Sequence, residues 1–160
     1  MSTRGDLEED EYPISGVPIE PPTRLNPEYF QDGKPTRKLL DLSKQVIETF
    51  RLKVPEKHIV AYFLGGSQTA GNWGENSDID FMLSIEQVFL DTIDRLSLID
   101  FVSRRIDGKG IHDLAKAHQQ DPSLRKGFAD TGISCYVPTG VVYNFYANRW
   151  ERFKDDSYRV

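Results

Sequence analysis

Between residues 63 and 83 the chain reads FLGGSQTAGNWGENSDIDFML. An apolar run breaks at Gly65, Gly66 and Ser67, ten residues intervene, and Asp78 and Asp80 then head a second apolar run. Residues two apart on a strand project to one face, so the two carboxylates stand side by side. Their neighbours Ile79, Phe81, Met82 and Leu83 mark a buried sheet, where paired negative charge is costly and raises a carboxyl pKa. A fold keeps such a pair when a divalent cation resolves the repulsion, and carboxylate oxygens are the hard donors that Mg²⁺ or Mn²⁺ takes. The glycines supply the complement. Lacking side chains, they let an anion approach the backbone, and if Ser67 opens a helix, its hydroxyl and first N–H groups face that anion. Strand, turn, excursion and carboxylate pair together set an anion seat beside a metal seat.

The flanking sequence fills in the elements. Leu39, Leu40, Leu42, Val46, Ile47 and Phe50 fall on one face of a helix that Pro55 stops. Residues 58–64 form a short continuous apolar run that ends at the glycines and predicts a fully buried strand. SQTAGNW begins a short helix, DIDFMLSI is the next strand, and EQVFLDTIDRLS is helical by the spacing of Val88, Phe89, Ile93 and Leu96. LIDFVSRR fits two periods. Ile99, Val102 and Ile106 extend the helix, whereas Leu98, Asp100 and Val102 share one face of a third strand, which is the preferred reading. GIHDLAKAHQQ predicts a helix, and DPSLRKGFADTG predicts a shorter one closed by Gly132. ISCYVPTGVVYNFYA predicts strand around a Pro-Thr-Gly turn.

Residues 1–34 differ in character. GDLEEDEY is acidic, and the following stretch to Phe30 holds five of the chain's nine prolines, which rules out a regular helix or a central strand. Two domains of organisation follow: a flexible acidic, proline-rich arm over 1–34 and a folded body over 35–160. The arm either drapes over the body or docks a protein partner through Ile14, Val17, Ile19 and Phe30.

Bulk properties narrow the function classes. The 160 residues fit one domain with a substantial core. A formal net charge of −5 argues against a domain whose task is to coat nucleic acid. The lone Cys135 makes no internal disulfide, and the N-terminus lacks the pattern of a secretory signal. No stretch approaches the roughly 18 apolar residues of a membrane span. A reduced, cytoplasmic setting without membrane contact is expected.

LGGSQTAGNWGENSDIDF resembles the signature of the nucleotidyltransferase superfamily related to DNA polymerase beta: an apolar residue, Gly-[Gly/Ser], a spacer, then Asp-apolar-[Asp/Glu]-apolar. Gly66, Ser67, Gly71 and the SDIDF segment fall where that pattern wants them. The segment 57–137 is similar, more loosely, to small single-domain, antitoxin-type members. The resemblance implies a polymerase-beta-like palm and transfer of a nucleoside monophosphate from an NTP to a hydroxyl, with Mg²⁺ (or Mn²⁺) as cofactor. It implies that Asp78 and Asp80 are catalytic and bind both metal ions, and that Gly65, Gly66 and Ser67 bind the nucleotide's phosphates. It also implies a third carboxylate on a neighbouring strand. Asp100, in LIDFV, is the candidate catalytic and metal-binding residue, and Asp130 is its competitor, although a Thr-Gly break follows it. The acceptor hydroxyl belongs to a protein, a small molecule or an RNA end. After Val137 too little chain remains for a second domain that would hold a long template. The alternative is a catalytically inactive nucleotide-binding or antitoxin-like interaction module.

Other residues read more plainly. Arg104, Arg105 and Lys109 suit a solvated basic turn, Trp73 suits packing over the sheet edge, and Cys135 suits an inert core thiol. His58, His112 and His118 lack zinc spacing. The expected architecture is therefore α/β in the broad, α+β sense: a small mixed sheet with helices mainly on one face.

Overall fold

The computed structural model describes residues 16–154. Its frame is a six-stranded mixed sheet in the order β1-β8-β7-β4-β5-β6. The strands are β1 (Val17–Pro18), β4 (Ile59–Gly65), β5 (Ile79–Ile85), β6 (Ala129–Ser134), β7 (Gly140–Asn144) and β8 (Arg149–Phe153). A two-stranded ribbon of β2 (Phe30–Gln31) and β3 (Lys34–Pro35) stands apart from it. Neighbouring strands run antiparallel except β5 and β6, which are parallel. A parallel pair needs a long crossover, and α3 (Gln87–Leu90), α4 (Arg95–Asp107) and α5 (Ile111–Gln120) supply it.

The sheet's two faces differ. Leu39, Val46 and Phe50 of α1 (Arg37–Arg51), with Leu98 and Val102 of α4, pack on Tyr62, Leu64, Ile79, Phe81, Leu83 and Ile85 in one core. The opposite face carries a smaller cluster of Ala61, Phe63, Val137 and Val142, flanked by Met82 and Phe153, and among the described residues no helix contributes to it. A β-bulge between Ile59 and Ala61 sets this alternation: Ile59 faces the helices, while Ala61 and Phe63 face the other way. Gly65, continuing the period, and the even-numbered residues of β5 from Asp80 onward share that helix-free face.

Three sequence expectations are corrected here. Residues 98–102 are not a strand; they lie inside α4. Leu98 and Val102 fit both periods, but Asp94 caps the helix start by accepting from Ser97 N–H, and Gly108 in the left-handed region ends it. The predicted helix after Asp121 is a single 3₁₀ turn, Pro122–Arg125, and its supposed closing residue Gly132 sits inside β6. The helix expected over 86–97 stops at Leu90 and resumes as α4 at Arg95.

The proline-rich segment is part of this architecture from residue 16 onward. β1 pairs with β8, Tyr29 and Phe30 are buried in the main core, and Ile19 and Leu25 pack against it. Of the expected docking anchors, only Val17 stands exposed, and Ile14 lies outside the described residues. Among the described residues no helix is long and apolar enough to cross a membrane.

Candidate active site

β4 ends in the glycine pair, and the register sets Gly65 directly opposite Asp80 on β5. Gly66 has φ +70°, a conformation that residues with a side chain rarely adopt. A Cβ on Gly66 would fall 1.9 Å from Asp80 Oδ2, and one on Gly65 would fall 1.8 Å from Met82 Cε. Gly66 is therefore required by its positive φ and the close approach of the turn to the acidic strand, whereas at Gly65 a side chain would displace the flexible end of Met82. Beyond the turn, α2 (Ser67–Ala70) is a single helical turn anchored by two buried side chains. Thr69 Oγ1 donates to the Val141 carbonyl at 2.7 Å, and Gln68 Nε2 donates to the Asp78 carbonyl at 3.2 Å. The turn is thus tied to β7 on one side and to the carboxylate segment on the other.

The parallel register sets Asp80 beside Asp130 of β6. Asp78, Asp80 and Asp130 each offer a carboxylate oxygen within 4.8 Å of the others, in a grouping that could hold a metal ion. Burial, with Asp78 and Asp130 adding like charge, pushes the Asp80 carboxyl up to about 7. Burial, then Asp78, also raises the Asp130 carboxyl. Positive charge comes from Arg125, at the end of the 3₁₀ turn, whose Nη2 donates to Asp78 Oδ2 and, at 3.2 Å, to Asp130 Oδ2. Arg125 does not bring the Asp80 carboxyl down to its ordinary range. Three convergent carboxylates, two of them with raised proton affinity despite an arginine nearby, form an oxygen donor set suited to a hard divalent cation.

The structure places Asp100 elsewhere. It lies on α4, where it accepts from Arg104 Nε at 2.8 Å and from the Ile111 N–H at 3.1 Å. The Arg104 bond holds its carboxyl below the usual range. Arg104 also pairs with Asp113, so Asp100 serves the junction of α4 with α5. The carboxylate grouped with Asp78 and Asp80 is Asp130.

Arg125 is the residue that sequence reasoning missed. Its SLRKG context was visible, but nothing local tied it to carboxylates 47 positions upstream. Trp73 is held by the N-terminal segment. The Arg24 guanidinium lies 4.5 Å from the indole centroid and donates to the Trp73 carbonyl at 3.0 Å, while the indole N–H donates to the Arg24 carbonyl at 3.3 Å. Cys135 is buried, and its thiol donates to Gln87 Oε1 at 3.0 Å.

No curated protein and no solved structure matches the chain. The family model described as "nucleotidyltransferase domain" matches residues 44–133, more than half the chain, from within α1 through the turn and Asp78 to Asp130. With the mixed sheet, the glycine turn and the acidic grouping in place, the chain belongs to the nucleotidyltransferase domain family and has a fold consistent with its polymerase-beta-like members.

Proposed function

We propose that the protein is a metal-dependent nucleotidyltransferase that moves a nucleoside monophosphate from an NTP to a hydroxyl acceptor. The observation that carries this reading is the convergence of Asp78, Asp80 and Asp130 against a glycine turn that has no room for a side chain at Gly66. Asp78 and Asp80 would hold Mg²⁺ or Mn²⁺, and Asp130, rather than Asp100, would complete the ligand set. Two divalent cations in such a site activate the attacking oxygen and neutralise the leaving group. The chain's own residues position the reactants. The Gly65-Gly66 backbone and the Ser67 hydroxyl would receive the β- and γ-phosphates, and Thr69 and Gln68 would hold that turn at a fixed distance from the carboxylates. Arg125 would leave its carboxylate partners and turn to phosphate oxygens as a charge-matched donor.

The second reading, a catalytically inactive nucleotide-binding module, draws on the same arginine. If Arg125 is the permanent counter-cation of Asp78 and Asp130, the carboxylates need no metal. Incubation with each α-labelled NTP, with Mg²⁺ or with EDTA, separates the two. Transfer predicts pyrophosphate release that requires the metal and is lost in Asp80→Asn. Release that persists in the variant contradicts the assignment of the site, and nucleotide binding without any release favours the inactive module.

A further inference from the structure

The helix-free face of the sheet continues past the carboxylates into a groove. Going down β5 from Asp80 on that face, Met82 and Ser84 come next; going down β6 from Asp130, Gly132 and Ser134 come next. The chain then crosses this face toward β7, and residues 136–139 form a wall. Val137 is buried against Ala61, Phe63 and Val142, and the crossing is pinned where Ser84 Oγ donates to the Tyr136 carbonyl at 3.1 Å. The groove between floor and wall has a volume of about 820 Å³ and is lined by residues 82–84, 132–134 and 136–139.

Three features specify an occupant. None of the lining residues is charged, so the groove offers nothing to a phosphate backbone, whose binding rests on Lys and Arg. The floor at Gly132 is bare: a Cβ there would meet nothing within 4 Å. A flat group can therefore lie on the strand backbone beside the Met82 thioether, a favourable neighbour for an aromatic ring. Finally, the Tyr136, Ser134 and Thr139 hydroxyls give the walls neutral hydrogen-bonding groups. The volume is that of a small-molecule site.

We propose that this groove is the acceptor site, and that the acceptor is an uncharged small molecule with a flat apolar body and a hydroxyl, of the phenol or aromatic-alcohol class. The inference rests on the transfer reading above. The hydroxyl would lie at the Asp130 end, with the body extending over Gly132 toward Tyr136. In the step, the acceptor oxygen bonds to the α-phosphorus and the bond from that phosphorus to the β-bridging oxygen breaks. Pyrophosphate leaves with the electron pair, and the hydroxyl proton passes to water.

Gly132 gives a clean test, because a Cβ there meets nothing within 4 Å and further side-chain atoms would extend into the groove. Met82 gives the readout, because Met1 is the chain's only other methionine. With isotope-labelled methionine methyls, a panel of neutral phenols and aromatic alcohols at millimolar concentration is expected to shift the Met82 resonance, and a short oligoribonucleotide is not. Gly132→Ala and Gly132→Leu are expected to weaken that shift in order of size. Leu is expected to lower labelling of the best panel acceptor at least about tenfold, while Mn²⁺ and NTP binding stay within about twofold of wild type. Loss of Mn²⁺ and NTP binding in the wild-type protein itself would remove the transfer reading. Intact binding with no Met82 shift from any panel member, equal labelling by the Leu variant, or preferential labelling of the oligoribonucleotide or of the protein itself would overturn the groove assignment alone.

Discussion

Gly66 and Asp80 occupy space that leaves no room for one more carbon. The Asp80 carboxylate lies where a Gly66 Cβ would stand, at a backbone φ of +70°. Gly66→Ala is therefore expected to cost about 2 kcal/mol of stability from backbone strain and displaced carboxylate. Misplacing the turn is expected to lower transfer about 100-fold. Denaturant melts and pyrophosphate release, read on the same preparation, check both.

Asp80 sets a pH dependence. Burial above all pushes its folded carboxyl up to about 7, well above the ordinary carboxylate range. A raised folded pKa means that this group's contribution to stability is fully present below about pH 4 and is lost as pH rises through about 7. Relative to Asp80→Asn, the wild-type protein in EDTA is expected to lose about 1 kcal/mol more stability between pH 5 and pH 8, after allowance for solvent screening. Urea melts of both proteins at the two pH values measure this difference. Mg²⁺ is expected to restore stability at pH 8 in the wild type and not in the variant.

Arg125 links the acidic grouping to the 3₁₀ turn. Arg125→Ala strips two partly buried carboxylates of their cation and is expected to destabilise the metal-free protein by about 1 kcal/mol after allowance for solvent screening. The same change removes a competitor for the site, so Mn²⁺ binding is expected to tighten about three- to tenfold. Titration followed by electron paramagnetic resonance reads that affinity. Mn²⁺ binding by Arg125→Ala with none by the wild-type protein would support the inactive module instead.

Glu151 is fully buried on β8. It accepts from Asn144 Nδ2 and the Gly16 N–H, each at 3.0 Å, and from Arg149 Nε at 2.5 Å. It thereby joins β7, β8 and the start of the described chain. Glu151→Ala is expected to cost about 3 kcal/mol, with a smaller loss for Glu151→Gln, by chemical denaturation.

What the sequence made legible follows the range of the interactions. α1, β4 and β5 are continuous apolar patterns, and the turn with Asp78 and Asp80 is a local motif, so all were readable. β6 was not: ADTGIS is rich in small and turn-forming residues, and its strand state comes from pairing with β5 residues 50 positions earlier. Asp130 therefore looked like a loop acid, while Asp100 looked like a strand acid because Leu98 and Val102 satisfy both periods. β8 was hidden for a related reason, since RWERF includes a buried glutamate made tolerable by partners from β7 and residue 16. Arg24 clasping the Trp73 loop likewise joins residues 49 apart.

The most direct test of the account is Mn²⁺ affinity and metal-dependent pyrophosphate release, measured side by side in Asp130→Asn and Asp100→Asn. The account predicts that Asp130→Asn weakens Mn²⁺ binding at least about tenfold and abolishes release, while Asp100→Asn retains both and loses only stability at the α4–α5 junction. Full binding and release by Asp130→Asn, with both lost in Asp100→Asn, would contradict it.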